Sequence, residues 1–126
     1  MDIDIVGEKF DLFEPSDTFR LGGNSAAITI DSMEQVGGQF DKFLSFLLNN
    51  KPRVCIHIEP VYEAYDQDNL YDYLAAKYSE KRGYLRGYLT RLEELQQQGE
   101  LKLKKIKRYG GNIYHEGWAI IVWERS

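Results

Sequence analysis

The sequence predicts an α/β domain whose sheet is mostly parallel and closes with an antiparallel hairpin, packed with two main helices. Three observations carry this expectation. Residues 26–30 (Ala-Ala-Ile-Thr-Ile) and 54–58 (Val-Cys-Ile-His-Ile) are short, nearly continuous apolar runs, as strands buried on both faces are. Between and after them, apolar residues recur at intervals of three and four, the period of a helix with one buried stripe. At the carboxyl end, two strand-like runs flank the turn residues Tyr109-Gly110-Gly111-Asn112.

In chain order, Ile3-Asp4-Ile5-Val6 alternates enough for a short strand, and Phe10-Asp11-Leu12-Phe13 leads into the turn-rich Glu14-Pro15-Ser16-Asp17. The strand at 26–30 follows a turn at Gly22-Gly23-Asn24 and ends in the polar cluster Asp31-Ser32-Met33-Glu34-Gln35. Gly37-Gly38 opens a helix with Phe40, Phe43, Leu44, Leu47 and Leu48 on its inner stripe, and Asn49-Asn50-Lys51-Pro52 ends it. The strand at 54–58 stops at Glu59-Pro60, because proline withdraws a ladder donor. One long helix is expected from near Asp68-Asn69 to about Gln98, with Leu74, Leu85, Leu89, Leu92 and Leu95 inward. Gly99 caps it, and Gly83 and Gly87 inside it mark close packing or a kink. Leu101, Leu103 and Ile106 among lysines suit a strand with one solvated face, the lysines discouraging edge-to-edge association. Residues 118–123 suit an interior strand.

With 126 residues, 43% of them hydrophobic, and three prolines, the chain is long and apolar enough for one domain spanning 1–126. The one cysteine, Cys55, has no internal disulfide partner, and the amino-terminal residues do not have the pattern of a signal peptide; a reducing, cytoplasmic setting is expected. The longest apolar runs are far shorter than the roughly 18 residues a membrane span needs. A net charge of −4 argues against nucleic acid as a partner. That sum hides an asymmetry: residues 1–76 carry −9 and residues 77–126 carry +5, which suits the two halves to docking on one another or to simple solvation, with a basic surface for an anionic substrate as the sharper alternative.

Ligands of open α/β sheets collect beyond the carboxyl ends of the parallel strands, which directs attention to residues 31–35 and 59–65. Glu59, Glu63, Asp66 and Asp68, with Tyr62 and Tyr65, form an acidic, aromatic loop. Such a loop can bind a cation, present a general base or hydrogen-bond hydroxyls, and equally can be a solvated loop with a capping aspartate. His115 offers an imidazole near the last hairpin, whereas His57, inside an apolar strand, reads as a packed core histidine. Cys55, buried in the same strand, is not expected to be a nucleophile.

The segments FDLFEP, SAAITIDSMEQVG, CIHIEPVYEAYD, KRGYLRGYLTRLEEL and YHEGWAIIVW together resemble the carboxyl-terminal half of class I S-adenosylmethionine-dependent methyltransferases of a bacterial group with a Rossmann-like sheet, from about Phe10 to Trp123. The resemblance implies S-adenosylmethionine as cofactor and a small-molecule methyl acceptor. That family's sheet has seven strands, the last antiparallel, with the cofactor across the carboxyl ends of the first four. The resemblance implies cofactor contacts from Asp11, Leu12, Phe13, Asp31, Ser32 and Met33, and acceptor contacts from Glu34, Gln35 and Tyr62. It also makes Glu59 and His115 the candidate bases. The family's glycine-rich loop and its ribose-binding acid have no counterpart here. The expectation is therefore a partial domain, inactive alone and completed by the N-terminal half of such an enzyme or by a second copy. The alternative is a non-catalytic oligomerisation or binding module built on the half-sheet.

Overall fold

The computed structural model describes residues 2–126; Met1, the first residue of the stretch read for a leader, lies outside them. The elements are β1 (Ala26–Ile30), α1 (Asp41–Asn50), β2 (Val54–Glu59), α2 (Leu70–Arg82), α3 (Tyr88–Gln97), β3 (Leu101–Tyr109) and β4 (Trp118–Arg125). The strands form one sheet in the order β1-β2-β4-β3. β1 is parallel to β2, and β4 is antiparallel to both β2 and β3. Three strands thus share a direction and the last opposes them. Only one neighbouring pair is parallel, so the sheet is mixed rather than mostly parallel.

The hairpin, the interior position of β4 and the lysine-lined outer strand β3 agree with the sequence pattern. Helix α1 buries Phe43, Leu44 and Leu47 and ends at Lys51, whose left-handed backbone lets its N–H reach the Leu47 carbonyl. The expected helix over 68–98 is instead two helices. Gly83 (φ +67°) and Gly87 (φ +89°) both take left-handed conformations that stop one helix and precede the next. The break lets α3 present Tyr88, Leu89, Leu92 and Leu95 to the core while α2 buries only Asp72, Ala75, Ala76 and Ser79. Leu74, expected inward, is therefore exposed. Asn69 caps α2, its side-chain oxygen accepting from the N–H groups of Tyr71 and Asp72. Gly99 closes α3 as anticipated, with the Glu100 N–H on the Leu95 carbonyl. Across the two oppositely charged halves, Arg108 of β3 pairs with the buried carboxylate of Asp72.

No strand forms at residues 3–6, where Ile3, Ile5 and Val6 are exposed. Four alternating residues without a partner edge cannot offset the entropy of their ordering. What anchors the amino-terminal segment is aromatic packing, with the Phe10 and Phe19 rings 5.0 and 6.1 Å from Phe46 of α1.

β1 is not the strand buried on both faces that its apolar run suggested. It is an edge strand with one buried face, Thr29 inward, and Ile28 and Ile30 exposed by 57% and 61%. The sheet residues that join the core are Ala27, Cys55, Leu101, Leu103, Ala119, Ile121 and Trp123, all on the face shared with α1 and α3. The alternate positions pair as Ile28 with Ile56, Ile30 with Ile58, Ile56 with Val122, and Ile58 with Ile120. Paired residues project to the same side. The opposite face therefore carries an aliphatic strip that no core residue covers, bordered by the unpaired edge of β1. No helix among the described residues is long and apolar enough to cross a membrane.

One close approach fixes the segment after β1. Gly37 has φ +62°, and an added Cβ would sit 2.8 Å from the Gly83 carbonyl oxygen. Gly37→Ala is expected to destabilise the fold by about 1–3 kcal/mol. Gly38→Ala, whose added carbon meets nothing within 4 Å, should change stability by less than about 0.5 kcal/mol. Urea unfolding of the two variants checks this.

Candidate functional site at the carboxyl ends of β1 and β2

The parallel pairing of β1 with β2 brings Asp31–Gln35 beside Glu59, residues far apart in sequence. Asp31 donates its N–H to the Ile58 carbonyl at 3.1 Å and turns the chain through a left-handed conformation, φ +48°. The next two N–H groups, of Ser32 and Met33, then converge on Glu59 Oε1 at 3.2 Å each, with the Ser32 hydroxyl at 3.4 Å. Glu59 is fully buried, and its Oε2 has no hydrogen-bond partner among the described residues. Burial holds its carboxyl above the usual glutamate range, against the opposing effect of the Met33 N–H, the Thr29 hydroxyl and the Ser32 N–H. This carboxylate acts as a strap on the turn; it is sealed from solvent as the structure stands.

Behind the strap lies a polar chain inside the core. Thr29 Oγ1 is 2.8 Å from His57 Nδ1, and His57 Nε2 is 2.8 Å from the Tyr88 hydroxyl and 3.0 Å from Trp123 Nε1. An indole N–H only donates, so Nε2 carries the lone pair and Nδ1 the proton. His57 then donates to Thr29, which leaves the threonine hydroxyl hydrogen free to face Glu59. Burial pushes the His57 pKa down to about 3, so the ring stays neutral. His57 is the packed histidine expected of it, and Thr29, Tyr88 and Trp123 are partners that sequence reasoning did not assign. Burial likewise raises the Cys55 thiol to about 12, leaving it unreactive.

The other candidates are distributed around this centre. Met33 is wholly buried and its side chain belongs to the core; Asp31 and Ser32 are exposed at the turn. Glu34 is half-buried, and Gln35 is exposed with its amide on Glu34 at 3.3 Å. The hydroxyl of Tyr62 donates to Glu80 of α2 at 2.5 Å, with the Arg86 guanidinium 4.1 Å over its ring. Tyr65, named with the acidic, aromatic loop, sits where the acidic groups meet. Burial and the charges of Glu116, Asp72 and Glu34 raise its phenol well above the ordinary range, and its hydroxyl reaches the Gly117 carbonyl at 3.5 Å. Both carboxylate oxygens of Glu63 are buried without a partner among the described residues.

Asp11, Leu12 and Phe13 are not joined to the Glu59 cluster by any hydrogen bond among the described residues. The Asp11 carboxylate accepts the Phe13 N–H at 2.9 Å, Leu12 packs against the core, and Phe13 is exposed. His115 lies in the β3–β4 loop, apart from Glu59. Its Nδ1 donates to the Glu116 carbonyl at 2.8 Å, its Nε2 meets Asn112 Nδ2 at 3.2 Å, and its ring stacks on Trp118. The two candidate bases thus occupy separate places, one buried and one exposed.

Comparison with known proteins gives no matching family model, no matching curated protein and no matching solved structure.

Proposed function

We propose that this chain forms the carboxyl-side half of an S-adenosylmethionine-dependent methyltransferase sheet, acting on a small-molecule acceptor once the rest of the sheet is supplied. The observation that carries the reading is the sheet itself. Three strands share a direction, the last strand runs against them, and the edge of β1 and its aliphatic face are bare on the side where further strands would add. A further strand can pair along that edge, and this is where the amino-terminal half of such an enzyme would join.

The residues present fit part of the cofactor. The exposed Asp31 and Asp11 carboxylates are open to polar groups of a bound nucleoside, whereas Ser32, Met33 and Glu59 are occupied with the turn. When bound, S-adenosylmethionine supplies a sulfonium methyl open to in-line attack, so the protein's part is chiefly positioning. Glu59 fixes the turn that carries Asp31 and Ser32, and His115, the other candidate base, stands apart in the β3–β4 loop with its Nε2 on Asn112. Calorimetric titration with S-adenosylmethionine and with its demethylated product tests the reading. Saturable binding that Asp11→Ala or Asp31→Ala removes is expected of a half-pocket sufficient for recognition; no heat from a folded sample at millimolar cofactor would mean that this chain alone is not an enzyme and would remove the cofactor contacts assigned to Asp11 and Asp31.

A second reading, a non-catalytic module that dimerises through β1, is favoured by the exposure of Ile28 and Ile30. A stable dimer without affinity for the cofactor would select it.

A further inference from the structure

We infer that the groove between α2 and the β3–β4 loop is a binding site for a small apolar amine. The groove has a volume of about 580 Å³, within the ordinary range for small-molecule sites. Its walls hold side chains that the fold does not need outside: Leu70 and Leu74 from α2, exposed by 66% and 54%, face Ile113 and Tyr114 of the loop, exposed by 78% and 91%. Apolar groups gathered at one exposed place mark a surface that something covers.

The loop wall is preformed. The Tyr114 N–H bonds to Asn112 Oδ1 at 2.8 Å, and the Asn112 N–H to the His115 carbonyl at 3.0 Å. At the neck of the loop Gly111 and Gly117 approach so closely that a Cβ on Gly111 would lie 2.6 Å from the Gly117 nitrogen. A wall held this way loses little freedom when a ligand arrives.

Charge selects the ligand's polar end. Imidazole aside, Glu116 is the one ionisable acid or base lining the groove among the described residues, tyrosine hydroxyls excepted. Tyr71 and Tyr114 add ring faces that carry negative potential, whereas the Tyr78 ring already has the Arg82 guanidinium 5.8 Å from its centroid. A carboxylate, aromatic faces and aliphatic walls together favour a hydrophobic body bearing one ammonium group, and disfavour an anion. The inference goes beyond the activity proposed above and requires no cofactor.

The test is an amide chemical-shift titration of the chain with 2-phenylethylamine and, in parallel, with 3-phenylpropionate, an anion of similar bulk. Saturable shifts confined to residues 70–78 and 112–117 are expected, with the amine bound at least about tenfold more tightly than the acid. Glu116→Gln should remove most of that preference, and Leu74→Arg, a change at an exposed position, should abolish amine binding. Equal affinity for the two probes, shifts centred elsewhere, or no saturable shifts would overturn the inference. A parallel titration with S-adenosylmethionine reports on the methyltransferase reading separately, since either site can bind without the other.

Discussion

Replacing His57 by leucine is expected to lower stability by about 3–6 kcal/mol, enough to bring a domain of this size near unfolding. The loss comes from three buried groups left without their partner: the Thr29 hydroxyl, the Tyr88 hydroxyl and the Trp123 indole N–H. Urea unfolding followed by tryptophan emission measures it. The pH dependence identifies the mechanism. Folded His57 has its pKa near 3 against an ordinary 6.5, so protons bind the unfolded chain preferentially between those values. Its contribution is complete above about pH 6.5 and falls as the pH drops toward 3, by several kcal/mol in all. A variant without the ring loses that slope. A leucine variant as stable as the parent, with the slope unchanged, would remove His57 from the account.

Glu59→Ala is expected to cost about 2–4 kcal/mol and to loosen residues 31–37, because the Ser32 and Met33 N–H groups lose their acceptor and Met33 is fully buried. Fast hydrogen exchange confined to that turn, read beside global stability, distinguishes a released strap from general unfolding. Glu59→Gln keeps one acceptor oxygen and should cost about 1–2 kcal/mol. The sign of its pH effect is opposite to that of His57. A carboxyl whose folded pKa lies above the ordinary 4.5 stabilises the fold most when protonated, and this contribution falls as the pH rises above 4.5. The glutamine variant should lack that decline. Retention of the decline in the variant would assign it to another group.

Local pattern carried most of the fold's elements. The apolar runs at 26–30 and 54–58, the stripe of α1, the hairpin and the lysine-marked β3 each follow from residues close in sequence. The break between α2 and α3 was only half legible. Gly83 and Gly87 were visible, but whether two glycines kink a helix or end it depends on the left-handed backbone both adopt. Exposure of β1 was not legible from its own residues, since Ala-Ala-Ile-Thr-Ile reads the same whether or not a neighbour covers it.

For the candidate site, the carboxyl ends of β1 and β2 follow from strand direction, but the roles do not. Glu59 looked like a loop acid available to substrate. The parallel register turns it inward, onto N–H groups more than twenty residues away in sequence. Thr29, Tyr88 and Trp123 meet His57 from separate elements, and only knowledge of the sheet order would have joined them. The one available signal was a histidine and a threonine at inward positions of neighbouring strands.

The central claim is that the sheet is open at β1 and made to be completed there. Sedimentation equilibrium of the parent chain beside an Ile28→Lys, Ile30→Lys variant tests it most directly. The account predicts concentration-dependent self-association of the parent when no other partner is present, and a monomeric variant with unchanged circular dichroism, since both positions are exposed in the monomer. A parent that stays monomeric at high concentration, indistinguishable from the lysine variant, would contradict the claim.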